Sequence, residues 1–200
     1  MEETTVANHV VLRGIMAEAP EFSHSSRGER FYTFPLETKR LSGAVDRINV
    51  VLREDALYSE LGEAEKITVS GELRSFNNRR GGGARLVITV FAREIAFEDG
   101  PDVNEVELTG TLCKQPNLCT TPMGRDICDL MLAVNRRCGR SDYLPCITWG
   151  LKAREAAGWS VSDRVRLTGR IQSRGYIKLI DGEAYERTAF EVSVVEIEKL

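Results

Sequence analysis

The sequence predicts an all-β chain made of two tandem five-stranded barrels, each with one short helix. Three observations predict it. The first is an internal repeat at a constant offset of 96 residues. Asn8, Leu12 and Gly14 lie over Asn104, Leu108 and Gly110, Pro20 lies over Pro116, and Gly28 over Gly124. Phe34, Leu36, Arg40, Asp46 and Ile48 follow over Leu130, Leu132, Arg136, Asp142 and Leu144. A two-residue insertion then shifts the frame, so that Ile67, Gly71 and Ser75 lie over Val165, Gly169 and Ser173. A period near 100 is too long for a solenoid unit and suits two copies of a compact domain. The second observation is the polar joint Glu98-Asp-Gly-Pro-Asp102, which divides the chain into domains over 1–99 and 103–200. The third is the order of elements within each copy.

In the first copy, residues 6–16 are rich in β-branched and apolar side chains. Residues 31–36 alternate loosely, as a half-buried strand does, and 47–52 form a third strand. The stretch 54–61 carries Ala56, Leu57 and Leu61 with Glu residues and favours helix. Strands four and five occupy 66–75 and 85–97. The second copy repeats this order, with strands near 104–114, 125–137 and 142–149, a helix near 151–157, and strands near 164–174 and 184–197. Asp181-Gly182 is a hairpin turn signal between the last two. Five strands with a helix between the third and fourth is the plan of the OB-fold. A sandwich and an SH3-like barrel are the alternative architectures, and neither needs a helix there. Gly14, Gly110, Gly71 and Gly169 suit tight bends at barrel corners, or else mark bulges.

Composition bounds the function. Hydrophobic residues make up 42% and charged residues 28%, and no apolar run approaches the roughly 18 residues that span a bilayer. The acidic start Met1-Glu-Glu-Thr-Thr5 lacks the basic and apolar regions of a signal peptide, so a cytoplasmic location is expected, with no membrane contact. The five cysteines, Cys113, Cys119, Cys128, Cys138 and Cys146, show no C-x-x-C, and both histidines, His9 and His24, lie in the other copy. Neither a disulfide framework nor a zinc site is expected, and the thiols are expected to be buried or half-buried in a reducing compartment. No P-loop, G-x-S-x-G or H-E-x-x-H occurs, so no catalytic residues and no cofactor are expected. A net charge of −3 runs mildly against nucleic-acid binding, but a basic groove can coexist with an acidic back.

OB-folds that bind single strands use aromatic side chains for stacking and a basic groove for phosphates. The second copy supplies both. Tyr143 and Trp149 are six apart in strand three, so both side chains share one face. Tyr176 lies just past strand four. Arg136, Arg137, Lys152, Arg170, Arg174 and Lys178 surround them. The structural alternative is a core Trp149 and a solvated set of arginines.

The second copy resembles the bacterial single-stranded DNA-binding protein (SSB) family. The resemblance runs through Asn104-x-Val-x-Leu-x-Gly110, Pro116, Met131-Leu-Ala-Val-Asn-Arg136 and Asp142-Tyr-x-x-Cys-Ile-Thr-Trp-Gly150. It continues through Ala153-Arg-Glu155 and Val165-x-Leu-x-Gly-Arg-Ile-Gln-Ser-Arg174, covering nearly all of 104–197. It implies that Tyr143, Trp149 and Tyr176 stack on bases. It also implies sequence-independent binding of single-stranded DNA in replication, recombination or repair. Most members assemble four OB domains, so a homodimer of this two-copy chain is expected. Members usually end in a Gly/Pro-rich linker with an acidic tip. This chain ends at Glu196-Ile-Glu-Lys-Leu200, so recruitment of partner proteins through such a tail is not expected.

The first copy departs from the pattern. Arg47 and Arg53 stand where Tyr143 and Trp149 stand in the second, and Asn78 stands opposite Tyr176. Its candidates are Arg40, Arg53, Arg74 and Phe76, with Arg79 and Arg80 in the loop 77–83. It is expected to bind more weakly and more electrostatically, or to serve as scaffold. The alternative function is a non-enzymatic assembly or primosome-like accessory module that binds mainly protein.

Overall fold

A computed structural model describes residues 7–57, 61–62, 65–78, 86–180 and 183–200, except the side chains of 178 and 180. The chain forms two compact units. One comprises His9–Arg74 and Thr89–Glu105, and the other Met1–Asn8, Ser75–Ile88 and Val106–Leu200.

The first copy's strands are β1 (Asn8–Met16), β2 (Glu21–Ser26), β3 (Glu29–Lys39), β4 (Val45–Arg53), β5 (Lys66–Asn77) and β6 (Leu86–Phe97). β1 pairs antiparallel with both β3 and β5, β3 pairs with β4, and β4 runs parallel to β6. Because β6 neighbours β5, these five strands close into a ring. Along β4, Asp46, Ile48, Val50 and Leu52 are buried while the residues between them face out, the period-two pattern of a barrel wall. Phe34, Leu36, Leu12, Ile67, Val69 and Leu73 fill the interior with them.

The second copy repeats the ring with β7 (Val103–Leu112), β9 (Asp126–Asn135), β10 (Ser141–Trp149), β11 (Arg164–Ile180) and β12 (Glu183–Lys199). β7 pairs with β9 and β11, β9 with β10, β11 with β12, and β10 runs parallel to β12. The α-helix α1 (Leu151–Ala157) leaves β10 at Gly150 and buries Ala153 and Ala156. This is the five-stranded OB barrel in each copy.

Each copy also has a sixth strand outside the ring: β2 in the first and β8 (Asn117–Thr120) in the second. They pair with the starts of β3 and β9. Every residue of both is exposed, so neither shows the apolar alternation by which a sequence announces a strand. Where the sequence favours helix over 54–61, Glu54–Ala56 form a single 3-10 turn, and Leu57 is already extended, with ψ 103°. Residues 58–60, 79–85 and 181–182, on which parts of the expected helix, loop and hairpin turn fall, lie outside the described residues.

The repeated glycines Gly14, Gly71, Gly110 and Gly169 all sit where another strand passes closely. A Cβ on Gly71 would lie 2.1 Å from the Phe91 carbonyl oxygen, and one on Gly169 would lie 2.4 Å from that of Ser193. The register also shifts between Thr168 and Gly169, so that glycine marks a bulge as well. Gly71→Ala is expected to cost about 1–3 kcal/mol through overpacking. Gly175→Ala, where a Cβ meets nothing within 4 Å, is expected to stay within about 0.5 kcal/mol. Thermal melts of the two variants check this contrast.

The thiols differ in part from expectation. Cys128 and Cys146 are buried and Cys113 is half-buried, but Cys119 and Cys138 are exposed. Cys119 lies on β8, which has no core face, and Cys138 lies in the turn after β9. Burial pushes the Cys146 thiol well above its ordinary range. Cys119 and Cys138 are expected to react first with a thiol reagent at neutral pH, and Cys146 only after denaturation, as colorimetric titration would read.

Candidate nucleic-acid interface

The strand β10 positions the two leading candidates. Asp142, Leu144, Cys146 and Thr148 point inward and are buried. Tyr143 and Trp149 therefore point outward, at 51% and 38% exposure. Six residues of strand separate them by about 20 Å. The alternative of a core Trp149 does not hold. The buried tryptophan is Trp159, whose carbonyl accepts a hydrogen bond from Gln115 Nε2 at 3.0 Å.

Trp149 borders an open cavity of about 470 Å³, lined also by Gly124, Arg125, Asp126, Gly150, Leu151 and Arg154. Gly150 turns the chain there with φ 61°, and its N–H donates to the Asp126 carbonyl at 2.9 Å. The Arg154 Nε donates to the Asp126 carboxylate at 2.5 Å and the Thr120 hydroxyl donates at 3.1 Å. Together they hold the Asp126 carboxyl below the usual carboxylate range. Arg125 and Arg154 are cations that the sequence reading passed over. Their signal lay in their spacing from Trp149 across the β8–β9 turn and along α1.

On β11 the even-numbered residues from 170 to 176 alternate with buried Ile171 and share the outer side. Arg170, Arg174 and Tyr176 thus lie in one row. Tyr176 stands within β11 rather than beyond it, directly across from Arg187 on β12. Arg170 is exposed opposite Ser193. Arg174 is exposed, with its Nε 3.5 Å from Glu191. The Lys178 side chain lies outside the described residues. Lys152, on α1, turns back to donate to the Val195 carbonyl at 2.5 Å and pairs with Glu196 at 2.8 Å. Arg137 is exposed in the β9–β10 turn.

Arg136 is not part of the open surface. Its guanidinium grips the fully buried Asp142 carboxylate, with Nε donating at 2.7 Å and Nη2 donating to the other oxygen. This pairing holds Arg136 protonated more firmly than an ordinary arginine. Arg40 repeats the arrangement on buried Asp46, at 2.6 and 2.5 Å. Around Asp142 a third partner is Ser75, at the end of β5. Its N–H donates to the same carboxylate at 2.6 Å, and its hydroxyl accepts the Tyr143 N–H at 2.7 Å. Its carbonyl lies 3.4 Å from the Arg136 Nη2. The backbone that carries Tyr143 is thus fixed by a buried ion pair and a serine from the first copy. Phe76, the next residue along β5, is 53% exposed.

In the first copy, Arg47 pairs with Glu18 and Glu37, and Arg53 with Glu29 at 2.6 Å and Asp55 at 3.5 Å. Arg74 pairs with Glu72. Arg79 and Arg80 lie outside the described residues. The outer side also holds two rings that the sequence reading missed. Phe31 is opposite Arg53 in the β3–β4 register, and Phe91 is next to Val51 across the β4–β6 pair.

Among the described residues no cluster of His, Cys, Asp or Glu could hold a metal ion, and no helix is long and apolar enough to cross a membrane.

Comparisons with known proteins bear on the fold and on the family of the second copy. The wild-type single-stranded DNA binding protein from Thermus aquaticus superposes with a TM-score of 0.79 at 23% identity, over 96% of this chain and 92% of that one. At that identity the likeness shows the fold. Single-stranded DNA-binding protein A of Bacillus subtilis is 35% identical over 81 residues, 37% of this chain and 47% of its own length. Single-stranded DNA-binding protein 3 of Streptococcus agalactiae is 32% identical over 81 residues, 37% of this chain and 59% of its own length. The match spans about half the length of these relatives. The model of the Single-strand binding protein family matches residues 103–200. That second copy, residues 103–200, belongs to the single-strand binding protein family.

Proposed function

We propose that this chain binds single-stranded DNA without sequence preference and does no chemistry on it, in support of replication, recombination or repair. The observation that carries the reading is the outward pair Tyr143 and Trp149, half-exposed on a strand whose alternate residues fill the core. Bases stack on these rings and on Tyr176, which tolerates any sequence because every base has a π-face. Arg137, Arg170, Arg174 and Lys178 take phosphates and release counterions. Arg136 and Lys152 are spent on protein partners and act by holding the strands in place.

The functional halves in this reading are 1–99 and 103–200. A homodimer would bring four OB domains together in a closed symmetric assembly, and sedimentation at several concentrations tests that. Protein docking is the second reading. It is favoured by Ile177 and Leu179, apolar side chains 67% and 71% exposed on β11.

Titration with poly-dT at two salt concentrations separates the two. Trp149 is more exposed than Trp159, so quenching of tryptophan fluorescence reports the proposed site. Tight, salt-sensitive quenching is expected, with a negative slope of log K against log salt. Absence of binding at low salt would sink the first reading.

A further inference from the structure

The outer side of the first copy's barrel carries five planar groups in contact, one after another. His24 on β2 stacks on Phe31 with ring centroids 4.8 Å apart and planes 8° apart. Phe31 meets Phe91 at 6.3 Å. The Arg93 guanidinium lies 4.8 Å from the Phe91 centroid, and that of Arg74 lies 5.9 Å from it. These groups come from β2, β3, β5 and β6, within one compact unit.

The register explains why the strip is where it is. Arg53 pairs with Phe31 across β3 and β4, as Trp149 pairs with Ile127 across β9 and β10. The second copy has its ring on the third barrel strand and an aliphatic residue beside it. The first copy has an arginine on that strand and the ring beside it. The ring has moved one strand over on the same side of the barrel.

We infer that Phe31 and Phe91 form a second single-strand site, taking bases on their rings and phosphates on Arg53, Arg74 and Arg93. This rests on the single-strand-binding reading given above for the second copy. The ligand chemistry follows from the parts: flat apolar rings select flat bases, and guanidinium groups select phosphate oxygens.

The arginines here are already paired, Arg53 with Glu29 and Asp55, and Arg74 and Arg93 with Glu72. These pairs are at least partly exposed, and such pairs hold weakly, so a phosphate can take the carboxylate's place. That exchange releases few counterions. The first copy therefore binds through stacking with little salt dependence, the reverse of the electrostatic role its arginines suggest in the sequence.

Four proteins test this: wild type, a Phe31→Leu/Phe91→Leu double variant, Phe31→Tyr and Glu72→Gln. Each is titrated with poly-dT and with an oligo-dT of about 10 nucleotides, a length that one barrel can hold. In the double variant, poly-dT affinity is expected to fall at least tenfold and the occluded length to shorten. Quenching of Trp149 by the short oligomer should stay as in wild type. Phe31→Tyr keeps a ring and should keep wild-type affinity, and matched thermal melts exclude misfolding. Glu72→Gln removes a carboxylate that competes for two guanidinium groups and should both tighten binding and steepen its salt dependence. Poly-dT affinity and occluded length unchanged in the double variant would overturn the inference and leave the second copy's role standing. A wild type that binds neither DNA would remove both.

Discussion

Asp142→Ala is expected to destabilise the protein by about 3–5 kcal/mol. The carboxylate is fully buried and accepts from the Arg136 guanidinium and the Ser75 N–H. Removing it leaves a half-buried cation and a buried amide without their acceptor. That loss is a large share of the total stability of a typical domain. Asp142→Asn retains an oxygen for the amide and should cost less. Arg136→Ala orphans the carboxylate instead and should cost a similar amount. Replacing both members with apolar residues of like volume should recover much of the loss, because the desolvation of both charges is avoided. Urea denaturation measures all four. An unchanged midpoint in Asp142→Ala would mean that the pair is dispensable.

The second large effect is on binding. Tyr143→Ala and Trp149→Ala are each expected to weaken poly-dT binding by about 1–3 kcal/mol, from about fivefold to more than a hundredfold. Both rings are partly in solvent, so the folding midpoint should move little. That separates them from Arg136→Ala, which should move stability first. Tyr176→Ala should weaken binding in the same direction. The salt series adds a second axis. Removing a ring lowers affinity at every salt concentration and leaves the slope unchanged. Arg170→Ala should flatten the slope by about 0.7, one phosphate contact on a single strand. Arg47→Ala and Arg53→Ala should do less than the second-copy rings, since carboxylates already hold both arginines. Wild-type affinity in all three aromatic variants would refute the site.

Much of the fold could be read from the residues. The repeat at 96 aligns Leu12 with Leu108, Asp46 with Asp142 and Gly71 with Gly169, and each pair has the same place in its barrel. The even spacing of Tyr143 and Trp149 put both on one side because strand geometry has a strict period of two. The sixth strands stayed hidden because Glu21–Ser26 and Asn117–Thr120 bury nothing. Lone arginines were harder to read, because a guanidinium's role depends on its partner. Arg40 and Arg136 looked like phosphate ligands. The clue was that each recurs six residues before an aspartate, in both copies. Phe31 and Phe91 were missed for a different reason. Comparing the copies highlights shared residues, and the positions of these rings are taken by Ile127 and Ser193 in the sister copy.

The hydrogen bonds around Ser75 also bear on how the protein is made. Ser75 and Asp142 are 67 residues apart in the chain. At about 5–20 residues per second, roughly 3–13 seconds of translation separate them. Over that interval the nascent first copy can close its own ring, but the Ser75 amide has only water to bind. The end of β5 is secured once β10 has left the ribosome and Asp142 has met Arg136. The order of synthesis therefore delays these hydrogen bonds at the end of β5 until the second copy's third barrel strand has emerged.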